Sequence, residues 1–387
     1  MDGTVGLNPL VILGATGSIG RQTLEVCAAL ELTVAGLAAA RAGSAFSELG
    51  DAYPDADLAL SGGSADERAT LAKRFGSRVQ FGADAVAALG AVAGATVVNG
   101  IVGSAGLAPS LAALEAGNRL ALANKESMVA GGPVMRAAAE ESGAEIIPVD
   151  SEHSALWQSL VGENRAGIRR LILTASGGPF RGRTGADIET VSAAEALAHP
   201  TWDMGPRISI DSATLMNKAL EVIEAHYLFD VPYSAIDVVV HPQSIVHSLV
   251  EYIDGSVKAQ LGDPDMRVPI QYAITYPDRA PAPIGPLELA GSSLTFEAPD
   301  GAAFPCLELG YEAGRRSGSA PAVLNAADEV AVAAFLSERI IFGDIARVVA
   351  ETLETVDQRN VHSVGDVLAA DAEARRVAGT VVDRKAR

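Results

Sequence analysis

The N-terminal part of the chain alternates short apolar runs with longer amphipathic stretches. Residues 9–13 and 32–37 are apolar runs of the kind that form strands buried on both faces of a parallel sheet. Further runs of this kind lie at 96–98, 120–123 and 145–149. Because Ala-rich helical patterns separate the runs, the alternation predicts an α/β domain over residues 1–150, built on a Rossmann-like, doubly wound parallel sheet.

The pattern changes after residue 150, where predicted strands follow one another more closely. These strands are predicted at 169–174, 236–240, 248–252 and 256–261. Together with one long helix predicted over residues 212–229, they indicate a central α+β domain over 151–277. Six prolines between 277 and 305 predict an extended linker over 278–305, and the helical periodicity beyond it predicts a C-terminal helical domain over 306–387.

Composition and charge narrow the classes of function. The chain carries 29 Lys and Arg against 48 Asp and Glu, a net charge of −19 that is spread along its length. Such acidity argues against a protein that binds the nucleic-acid backbone. Residues 85–114 carry no charge, but glycines and Pro109 interrupt them, so no membrane-spanning helix is expected there. Since the N-terminus has no basic leader, the sequence predicts a cytoplasmic protein without membrane contact.

A glycine-rich loop, GATGSIG, follows the first predicted strand and precedes a helical pattern. Gly14, Gly17 and Gly20 would let the backbone approach a pyrophosphate, which a helix N-terminus stabilises. Arg41 follows the second strand, where NAD-dependent enzymes usually have an acid, and a cation there suits the 2′-phosphate of NADP. The alternatives are a plain tight turn for the loop and an ordinary surface position for Arg41.

Two carboxylates, Asp150 and Glu152, follow the strand predicted at 145–149. In an extended chain these two side chains would point the same way. Paired carboxylates at the end of a parallel strand suit Mg²⁺ or Mn²⁺, because these ions prefer oxygen ligands. The alternative is the start of a helix, where Asp, Ser and Glu are common.

A polar stripe is predicted on the long helix of the central domain. Thr214, Asn217, Lys218 and Glu221 would share one helix face, and Ser212 would lie at the helix N-terminus. Asn and Lys side chains suit a phosphate, and the N-terminus of a helix favours an anion. The alternative is a solvated helix face with an ion pair between Lys218 and Glu221.

Two loops complete the candidate site. Residues 174–181 run from a strand into a Ser-Gly-Gly sequence, within the arginine-rich and acid-free stretch 169–183. This arrangement suits a phosphate, and the alternative is a turn with surface arginines. Residues 199–206 combine an imidazole, an indole and a thioether between breakers. Such a loop can close over a site as a lid, and the alternative is a buried anchor loop.

The order of the motifs is more specific than any single motif. The motifs are GATGSIG at 14–20, ANKES at 123–127, VDSEHSA at 149–155, SGGPF at 176–180, HPTWDMG at 199–205, DSATLMNKALE at 211–221, HPQSIVHS at 241–248 and GDPDMR at 262–267. Together they closely resemble those of the 1-deoxy-D-xylulose 5-phosphate reductoisomerases, and the resemblance covers nearly all of the chain. It is weakest in residues 40–95 and in the C-terminal helices. The departures, Ala15, Thr201 and Asp203, do not affect the assigned catalytic groups.

The resemblance implies an enzyme that rearranges 1-deoxy-D-xylulose 5-phosphate and reduces the product with NADPH. The product would be 2-C-methyl-D-erythritol 4-phosphate, an intermediate of the non-mevalonate isoprenoid route. The implied cofactors are NADPH and Mg²⁺ or Mn²⁺, with Co²⁺ as a further candidate. The family also implies a homodimer whose interface the central, catalytic domain supplies. The alternative is another two-domain NADP-dependent oxidoreductase, resembling a semialdehyde or homoserine dehydrogenase.

The same resemblance assigns the site residues. The expected metal ligands are Asp150, Glu152 and Glu221. The residues expected to take part in catalysis are Lys125, Asp150, Glu152, His153, His199 and Glu221. The expected substrate contacts are Lys125, Ser151, Glu152, Ser176, His199, Trp202, Met204, Ser212, Asn217, Lys218 and Glu221. The expected NADPH contacts are Gly14, Thr16, Gly17, Ser18, Ile19, Gly20, Arg41, Asn124, Lys125, Glu126, Gly205 and Met266.

Overall fold

The computed structural model describes residues 7–202 and 204–386. These residues form two compact units, each built from separate stretches of the chain. The first unit comprises the described residues up to 127, together with 135–154 and 265–286. The second unit comprises 128–134, 155–264 and the residues from 287 onward. The four-part domain division, with boundaries at 150, 277 and 305, stays a prediction.

A seven-stranded parallel sheet forms the centre of the first unit. Its strands are β1 (Leu10–Leu13), β2 (Val34–Ala39), β3 (Asp57–Leu60), β4 (Val79–Phe81), β5 (Thr96–Asn99), β6 (Arg119–Leu122) and β7 (Ile146–Pro148). They pair in the order β4-β3-β2-β1-β5-β6-β7, and every pair is parallel. The predicted doubly wound sheet is therefore confirmed. Its order reverses at β1, which is where sheets of this class bind ligands.

Helices alternate with these strands. Those up to residue 160 are α1 (Ser18–Ala29), α2 (Ser44–Ala52), α3 (Ala65–Phe75), α4 (Ala83–Gly90), α5 (Leu107–Glu115), α6 (Lys125–Ser142) and α7 (Ser151–Leu160). Local signals set their ends. Ser64 accepts a hydrogen bond from the Glu67 amide and the Glu67 carboxylate accepts one from the Ser64 amide, so a capping box starts α3. Gly143, at φ 73°, ends α6 in the left-handed conformation that glycine adopts readily.

The second unit contains a four-stranded mixed sheet. Its strands are β8 (Ile168–Ala175), β9 (Ile236–Val240), β10 (Val246–Tyr252) and β11 (Val257–Leu261). They pair in the order β11-β10-β8-β9. β10 is antiparallel to both of its neighbours, whereas β8 and β9 are parallel. This mixed sheet confirms the α+β character predicted for the central part of the chain.

The remaining helices follow in the second half of the chain. They are α8 (Gly185–Ile188), α9 (Ala193–Leu197), α10 (Pro206–Thr214), α11 (Met216–Phe229), α12 (Arg267–Thr275), α13 (Cys306–Arg316), α14 (Ala320–Leu336), α15 (Asp344–Thr355) and α16 (Val364–Lys385). The last four pack against one another within the second unit, which confirms the helical C-terminal region. α12 instead packs on α1 within the first unit.

Two features differ from the sequence-based expectations. No strand was predicted at β3 or β4, which have four and three residues and lie at one end of the sheet. The single helix predicted over 212–229 is wrong. Leu215, at φ 61°, lies in the left-handed region and separates α10 from α11, so Ser212 lies in the last turn of α10 and not at a helix N-terminus as predicted. Apolar periodicity continues across this break, so the sequence pattern gives no sign of it.

The proline-rich stretch connects α12 to α13. Between Thr275 and Cys306, where the structure describes every residue, there is no helix, and regular pairing is limited to a single bridge between Val240 and Glu297. Among the described helices of the chain, none combines the length and the apolar character needed to cross a bilayer.

Candidate active site

The turn between β1 and α1 requires glycine at two of its three predicted positions. Gly14 has φ +86°, and a β-carbon built on it would lie 2.8 Å from the Gly100 carbonyl oxygen. A β-carbon on Gly20 would overlap the Gly14 carbonyl oxygen. Gly17 is the N-cap of α1, and both Gly17 and Ser18 are exposed. No side chain of a described residue forms a capping hydrogen bond with this end of α1. Uncapped amides in the first turn of a helix suit a pyrophosphate.

Arg41 lies two residues beyond β2, next to this turn. Because Leu13 pairs with Ala38, the carboxyl ends of β1 and β2 lie side by side. The Arg41 side chain is exposed and forms no ion pair with any described residue. A cation at this place fits the 2′-phosphate of NADPH. The other predicted contacts in this unit that are half-buried are Thr16, Ile19, Glu126 and Met266.

The ANKES segment, residues 123–127, connects the end of β6 to the loop after β5 through hydrogen bonds. Asn124 is buried, and its Nδ2 donates to the Gly103 carbonyl at 3.0 Å and to Glu126 Oε2 at 2.8 Å. Glu126 Oε1 accepts from the Gly103 amide at 3.2 Å. The Asn124 side chain also accepts from the Ser127 amide and so caps α6. These bonds give Asn124 and Glu126 a structural role, and their contact with NADPH stays a prediction.

Lys125 and Asp150 face each other at the carboxyl ends of the neighbouring strands β6 and β7. Lys125 Nζ lies 2.5 Å from Asp150 Oδ2, and the two side chains are only 8% and 12% exposed. Beside them, Ser151 Oγ donates to Glu152 Oε2 at 2.6 Å. Burying an ion pair costs desolvation free energy, and active sites are among the places where such pairs are retained.

The extended conformation expected for residues 150–152 is wrong. α7 begins at Ser151, so Asp150 immediately precedes the helix and Glu152 lies in its first turn. The Ser154 amide donates to the Asp150 carbonyl oxygen at 2.8 Å. The alternative, a helix start, therefore describes the backbone. Both carboxylates still lie just beyond β7, and His153 of the same turn is fully buried.

In the second unit, Glu221 is held by two neighbours on α11. Asn217 Nδ2 donates to Glu221 Oε1 at 2.6 Å, and Lys218 Nζ forms an ion pair with Glu221 Oε2. The side chains of Lys218 and Glu221 are only 4% and 1% exposed. The alternative of a solvated helix face is therefore wrong, although its ion pair is present. A buried lysine and a half-buried amide beside a buried carboxylate suit an anionic ligand that binds together with a cation.

The Ser-Gly-Gly loop packs directly against α10. Gly178 has φ +63°, and a β-carbon on it would lie 2.8 Å from the Ser212 carbonyl oxygen, so the approach depends on glycine. Ser176 Oγ accepts a hydrogen bond from the Gly178 amide at 3.2 Å. The structure thus brings Ser176 and Ser212, two predicted phosphate contacts, onto adjoining backbone segments.

His199 connects the lid loop with Ser176. Its Nε2 lies 2.9 Å from Ser176 Oγ, and its Nδ1 accepts hydrogen bonds from the amides of Thr201 at 3.2 Å and Trp202 at 2.9 Å. Because Nδ1 accepts, the neutral ring carries its proton on Nε2 and donates it to Ser176. Burial lowers the pKa of His199, which favours this neutral form.

Among the other lid residues, Trp202 lies near His247 of the HPQSIVHS motif. Trp202 and Met204 are half-buried and Gly205 is exposed, whereas Asp203 lies outside the described residues. The Trp202 ring is 6.4 Å from the ring of His247. Burial lowers the pKa of His247 to about 4, so this ring is neutral as well. The contact joins distant parts of the chain, and no local sequence signal could have revealed it.

Three of the four arginines of residues 169–183 form ion pairs with acids elsewhere in the unit, whereas Arg183 Nη2 donates to the Asp187 carbonyl oxygen at 2.8 Å. Arg169 and Arg170 form ion pairs with Glu251, and Arg181 pairs with Glu297. The alternative interpretation, surface arginines beside a turn, therefore describes these three. The candidate phosphate donors that remain are the Ser-Gly-Gly backbone, Ser176, Ser212, Asn217 and Lys218.

Three family models match successive parts of the chain. The model of 1-deoxy-D-xylulose 5-phosphate reductoisomerase matches residues 10–132, and that of its C-terminal domain matches residues 146–229. The model of the DXP reductoisomerase C-terminal domain matches residues 261–377.

Curated relatives match over almost the whole chain. The 1-deoxy-D-xylulose 5-phosphate reductoisomerase of Chlorobium phaeobacteroides is 48% identical over 383 residues, which cover 98% of this chain and all of the relative. The enzyme of Paraburkholderia xenovorans is 49% identical over 386 residues, which cover 97% of this chain and 96% of the relative. These matches do not favour the semialdehyde or homoserine dehydrogenase alternative.

Solved structures agree with the sequence matches. The reductoisomerase from Zymomonas mobilis in complex with NADPH has a TM-score of 0.89 and 40% identity, covering 97% of this chain and 99% of that chain. A DOX-P reductoisomerase in complex with NADPH, fosmidomycin and magnesium has a TM-score of 0.90 and 38% identity, covering 97% of this chain and 98% of that chain. The chain therefore belongs to the 1-deoxy-D-xylulose 5-phosphate reductoisomerase family.

Proposed function

We propose that this protein converts 1-deoxy-D-xylulose 5-phosphate to 2-C-methyl-D-erythritol 4-phosphate, by rearranging the carbon skeleton and reducing the resulting aldehyde with NADPH. Its identity of 48–49% to reductoisomerases over nearly the whole chain supports this function. The observation that carries it is the cluster of the half-buried Asn217 with the buried Lys218 and Glu221. A simple dehydrogenase needs no buried acid beside donors for a phosphate.

The first unit supplies the proposed NADPH site. The β1–α1 turn, with Gly14, Gly17 and Gly20, would receive the pyrophosphate, and Arg41 would bind the 2′-phosphate. The complex of a relative with NADPH supports this cofactor. Bound NADPH supplies the hydride. The protein's own part is to hold the cofactor through the backbone of the turn and through the other residues predicted to contact it.

A divalent cation would be held by Asp150, Glu152 and Glu221. Carboxylate oxygens are the ligands that Mg²⁺ and Mn²⁺ prefer, and two of these three carboxylates already attract a cation, Lys125 or Lys218. The bound ion would polarise the oxygens of the substrate. Magnesium in complexes of relatives supports Mg²⁺, whereas Mn²⁺ and Co²⁺ are proposed on the chemistry of the ligands alone.

The phosphate of the substrate would bind in the second unit. Ser176 and Ser212 offer hydroxyl donors, Asn217 offers an amide, and Lys218 offers a buried ammonium. The Ser-Gly-Gly backbone at Gly178 adds a close approach to α10. A charge-assisted hydrogen bond is about twice as strong as a neutral one, so Lys218 should contribute most to phosphate affinity.

The lid and the Lys125 region would handle the rest of the substrate. His199, Trp202 and Met204 would close over it and exclude water. Lys125 and Ser151 would contact its hydroxyl groups. The ammonium of Lys125 lies beside Asp150 and can donate a proton or hold one there. His153, buried in the first turn of α7, is the second group assigned to proton handling.

The proposed assembly is a homodimer formed through the central domain. β11 is an edge strand of the mixed sheet, and Val257 at its start and Ile253, directly after β10, are 50% and 72% exposed. An unpaired edge with apolar side chains is suited to association. The proposed domains are an NADPH-binding domain over 1–150, a catalytic and dimerisation domain over 151–277, a linker over 278–305 and a helical domain over 306–387. We place the protein in the cytoplasm.

An assay of NADPH oxidation tests this function. The purified protein is mixed with 1-deoxy-D-xylulose 5-phosphate and Mg²⁺, and absorbance reports the consumption of NADPH. We expect consumption to require both compounds, to stop with EDTA and to recover with added Mg²⁺. Mass spectrometry should identify 2-C-methyl-D-erythritol 4-phosphate as the product. Turnover of aspartate semialdehyde instead would support the alternative, and full activity in EDTA would refute the metal assignment.

A further inference from the structure

Arg207 lies at the centre of a buried ionic cluster outside the site described above. It is the second residue of α10, directly after the lid loop. Its guanidinium donates to Glu329 Oε1 and to Asn325 Oδ1, each at 2.9 Å. It also lies 3.5 Å from Asp328 Oδ2 and 3.6 Å from Asp211 Oδ2. Three acids and an amide from two helices therefore surround one arginine.

Two of the three acids of this cluster, Asp211 and Asp328, are buried as deeply as core side chains. Asp328 is fully buried and Asp211 is only 4% exposed, and both carboxylates face the Arg207 guanidinium. Burial raises the pKa of Asp328 to about 6, although Arg207 acts in the opposite direction. Such an acidic pair costs free energy, and Arg207 offsets part of that cost. The cluster therefore depends on the guanidinium in its place.

Glu329 extends the cluster to the last helix of the chain. Arg375 Nη2 of α16 lies 2.5 Å from Glu329 Oε2, and Arg375 Nε lies 2.6 Å from Asp371 Oδ2. Asn325 Nδ2 donates to Glu329 Oε1 at 3.1 Å, which fixes the carboxylate that Arg207 binds. α10 is thereby connected through α14 to α16.

α10 also carries part of the proposed phosphate pocket. Ser212 directly follows Asp211, and its carbonyl oxygen lies so close to Gly178 that a β-carbon on Gly178 would be 2.8 Å from it. Ser176, on that loop, accepts the hydrogen bond of His199. A shift of α10 would therefore displace Ser212 and press on the loop that holds Ser176.

We propose that Arg207 is a positioning residue for the phosphate pocket, because it fixes α10 against α14 and thereby sets the place of Ser212 and the Ser-Gly-Gly loop. This inference rests on the proposed function, which assigns the substrate phosphate to that pocket. The planar guanidinium binds Glu329 and Asn325 at the same time. A lysine ammonium keeps the positive charge but cannot bind both partners through a planar pair of donors. Arg207→Lys therefore distinguishes the effect of this geometry from the effect of the charge.

Steady-state kinetics of Arg207→Lys provide the test. We expect the KM for 1-deoxy-D-xylulose 5-phosphate to rise about tenfold, which corresponds to about 1.4 kcal/mol. The inhibition constant of inorganic phosphate should rise by the same factor, while kcat and the KM for NADPH stay within about twofold of wild type. Arg375→Lys is the matched control, because it changes the other arginine that binds Glu329, on α16 instead of α10. Its KM for the substrate should stay at the wild-type value.

Several outcomes would overturn the inference. A folded Arg207→Lys variant with unchanged KM and phosphate inhibition would do so, as would an equal rise of KM in Arg375→Lys. If Arg207→Lys does not fold, R207Q/D328N removes one buried positive and one buried negative charge together, with the same expected result. Failure of both variants to fold would show that the cluster serves stability alone. A wild-type protein that does not turn over the substrate would refute the proposed function and this inference with it, whereas wild-type turnover with unchanged variant KM refutes this inference only.

Discussion

His199 Nε2 donates a hydrogen bond to Ser176 Oγ over 2.9 Å, while the Nδ1 of the same ring accepts one from the Trp202 amide. One imidazole thus joins the lid to the phosphate loop. Protonation would place a hydrogen on Nδ1, which could then no longer accept the hydrogen bond from the Trp202 amide. The connection between lid and loop therefore requires the neutral ring.

We expect the KM for the substrate to rise as the pH falls below 6.5, the ordinary pKa of histidine. The folded protein lowers the pKa of His199, so the neutral ring contributes fully above pH 6.5 and its contribution is lost as the pH falls through the lower native pKa. Measuring KM between about pH 5 and pH 8 checks this expectation. The substrate phosphate itself titrates at about pH 6. His199→Asn has no titratable side chain at this position, so its pH profile shows the effect of the phosphate alone and serves as the control. Identical pH profiles in the two proteins would contradict the assignment.

Glu221→Gln should reduce kcat by at least about a hundredfold, because a neutral amide is a poor ligand for a divalent cation. The side chain keeps its size, so the packing on α11 should change little, but the loss of the buried carboxylate beside Lys218 should lower the free energy of unfolding, so thermal denaturation must first show that the variant is folded. Fluorescence titration should give an unchanged Kd for NADPH. Glu308→Gln, at an exposed acid of α13, is the matched control and should keep wild-type turnover. Activity of Glu221→Gln near that of wild type would remove Glu221 from the metal site.

Arg41→Ala should raise the KM for NADPH about tenfold or more and leave the KM for NADH nearly unchanged, because only NADPH carries the 2′-phosphate. Parallel kinetics with the two cofactors measure this difference. Arg21→Ala removes another arginine near the same turn and serves as the control for general charge effects. An equal rise of KM for both cofactors would show that Arg41 does not read the 2′-phosphate.

Gly178→Ala should raise the KM for the substrate, because the new methyl group would lie 2.8 Å from the Ser212 carbonyl oxygen. Gly182→Ala is a matched control in the same stretch. Gly182 also has a positive φ, +80°, but a β-carbon on it would meet open space. Both variants should lose about 1 kcal/mol of stability from backbone strain. Only Gly178→Ala should bind the substrate more weakly. A similar KM in both variants would show that the close approach of Gly178 to α10 is not needed for substrate binding.

Asp328→Asn should raise the melting temperature by a few degrees near about pH 7.5, and the gain should shrink towards about pH 5. Burial raises the pKa of Asp328 from 3.8 to about 6. The folded state therefore binds more protons than the unfolded state between these values, so stability falls as the pH rises through them. The groups that face Asp328 are Arg207, Asp211, Glu329 and the Cys306 thiol. Thermal denaturation of both proteins across this pH range measures the effect, and a difference independent of pH would contradict it.

The apolar runs in the sequence were sufficient to predict the strands that are buried on both faces. β1, β2, β5, β6 and β7 follow the predicted apolar runs closely, because a strand covered on both faces needs apolar side chains at every position. β3 and β4 lack such runs, and their pairing depends on the strands beside them. The break at Leu215 depends on packing, since its left-handed backbone is unfavourable for leucine in isolation.

The candidate site shows a similar division. Residue types and motif order identified Asn217, Lys218 and Glu221, and the family matches confirm the resemblance on which their roles were assigned. Their burial could not be predicted, because a polar stripe looks the same whether water or protein covers it. The same ambiguity placed Arg169 and Arg170 among the phosphate candidates, although both are paired with acids.

The packing of α12 on α1 has a consequence for how the protein is made. Arg267 Nη1 lies 3.3 Å from Glu25 Oε2, although 242 residues separate them in the chain. A nascent chain on the ribosome would have its parallel strands and glycine turn long before it had α12. Until Thr275 has emerged, the outer side of α1 has no cover, and closing so long a loop carries an entropic cost. Completion of the nucleotide-binding unit is therefore a late event in the synthesis of this chain.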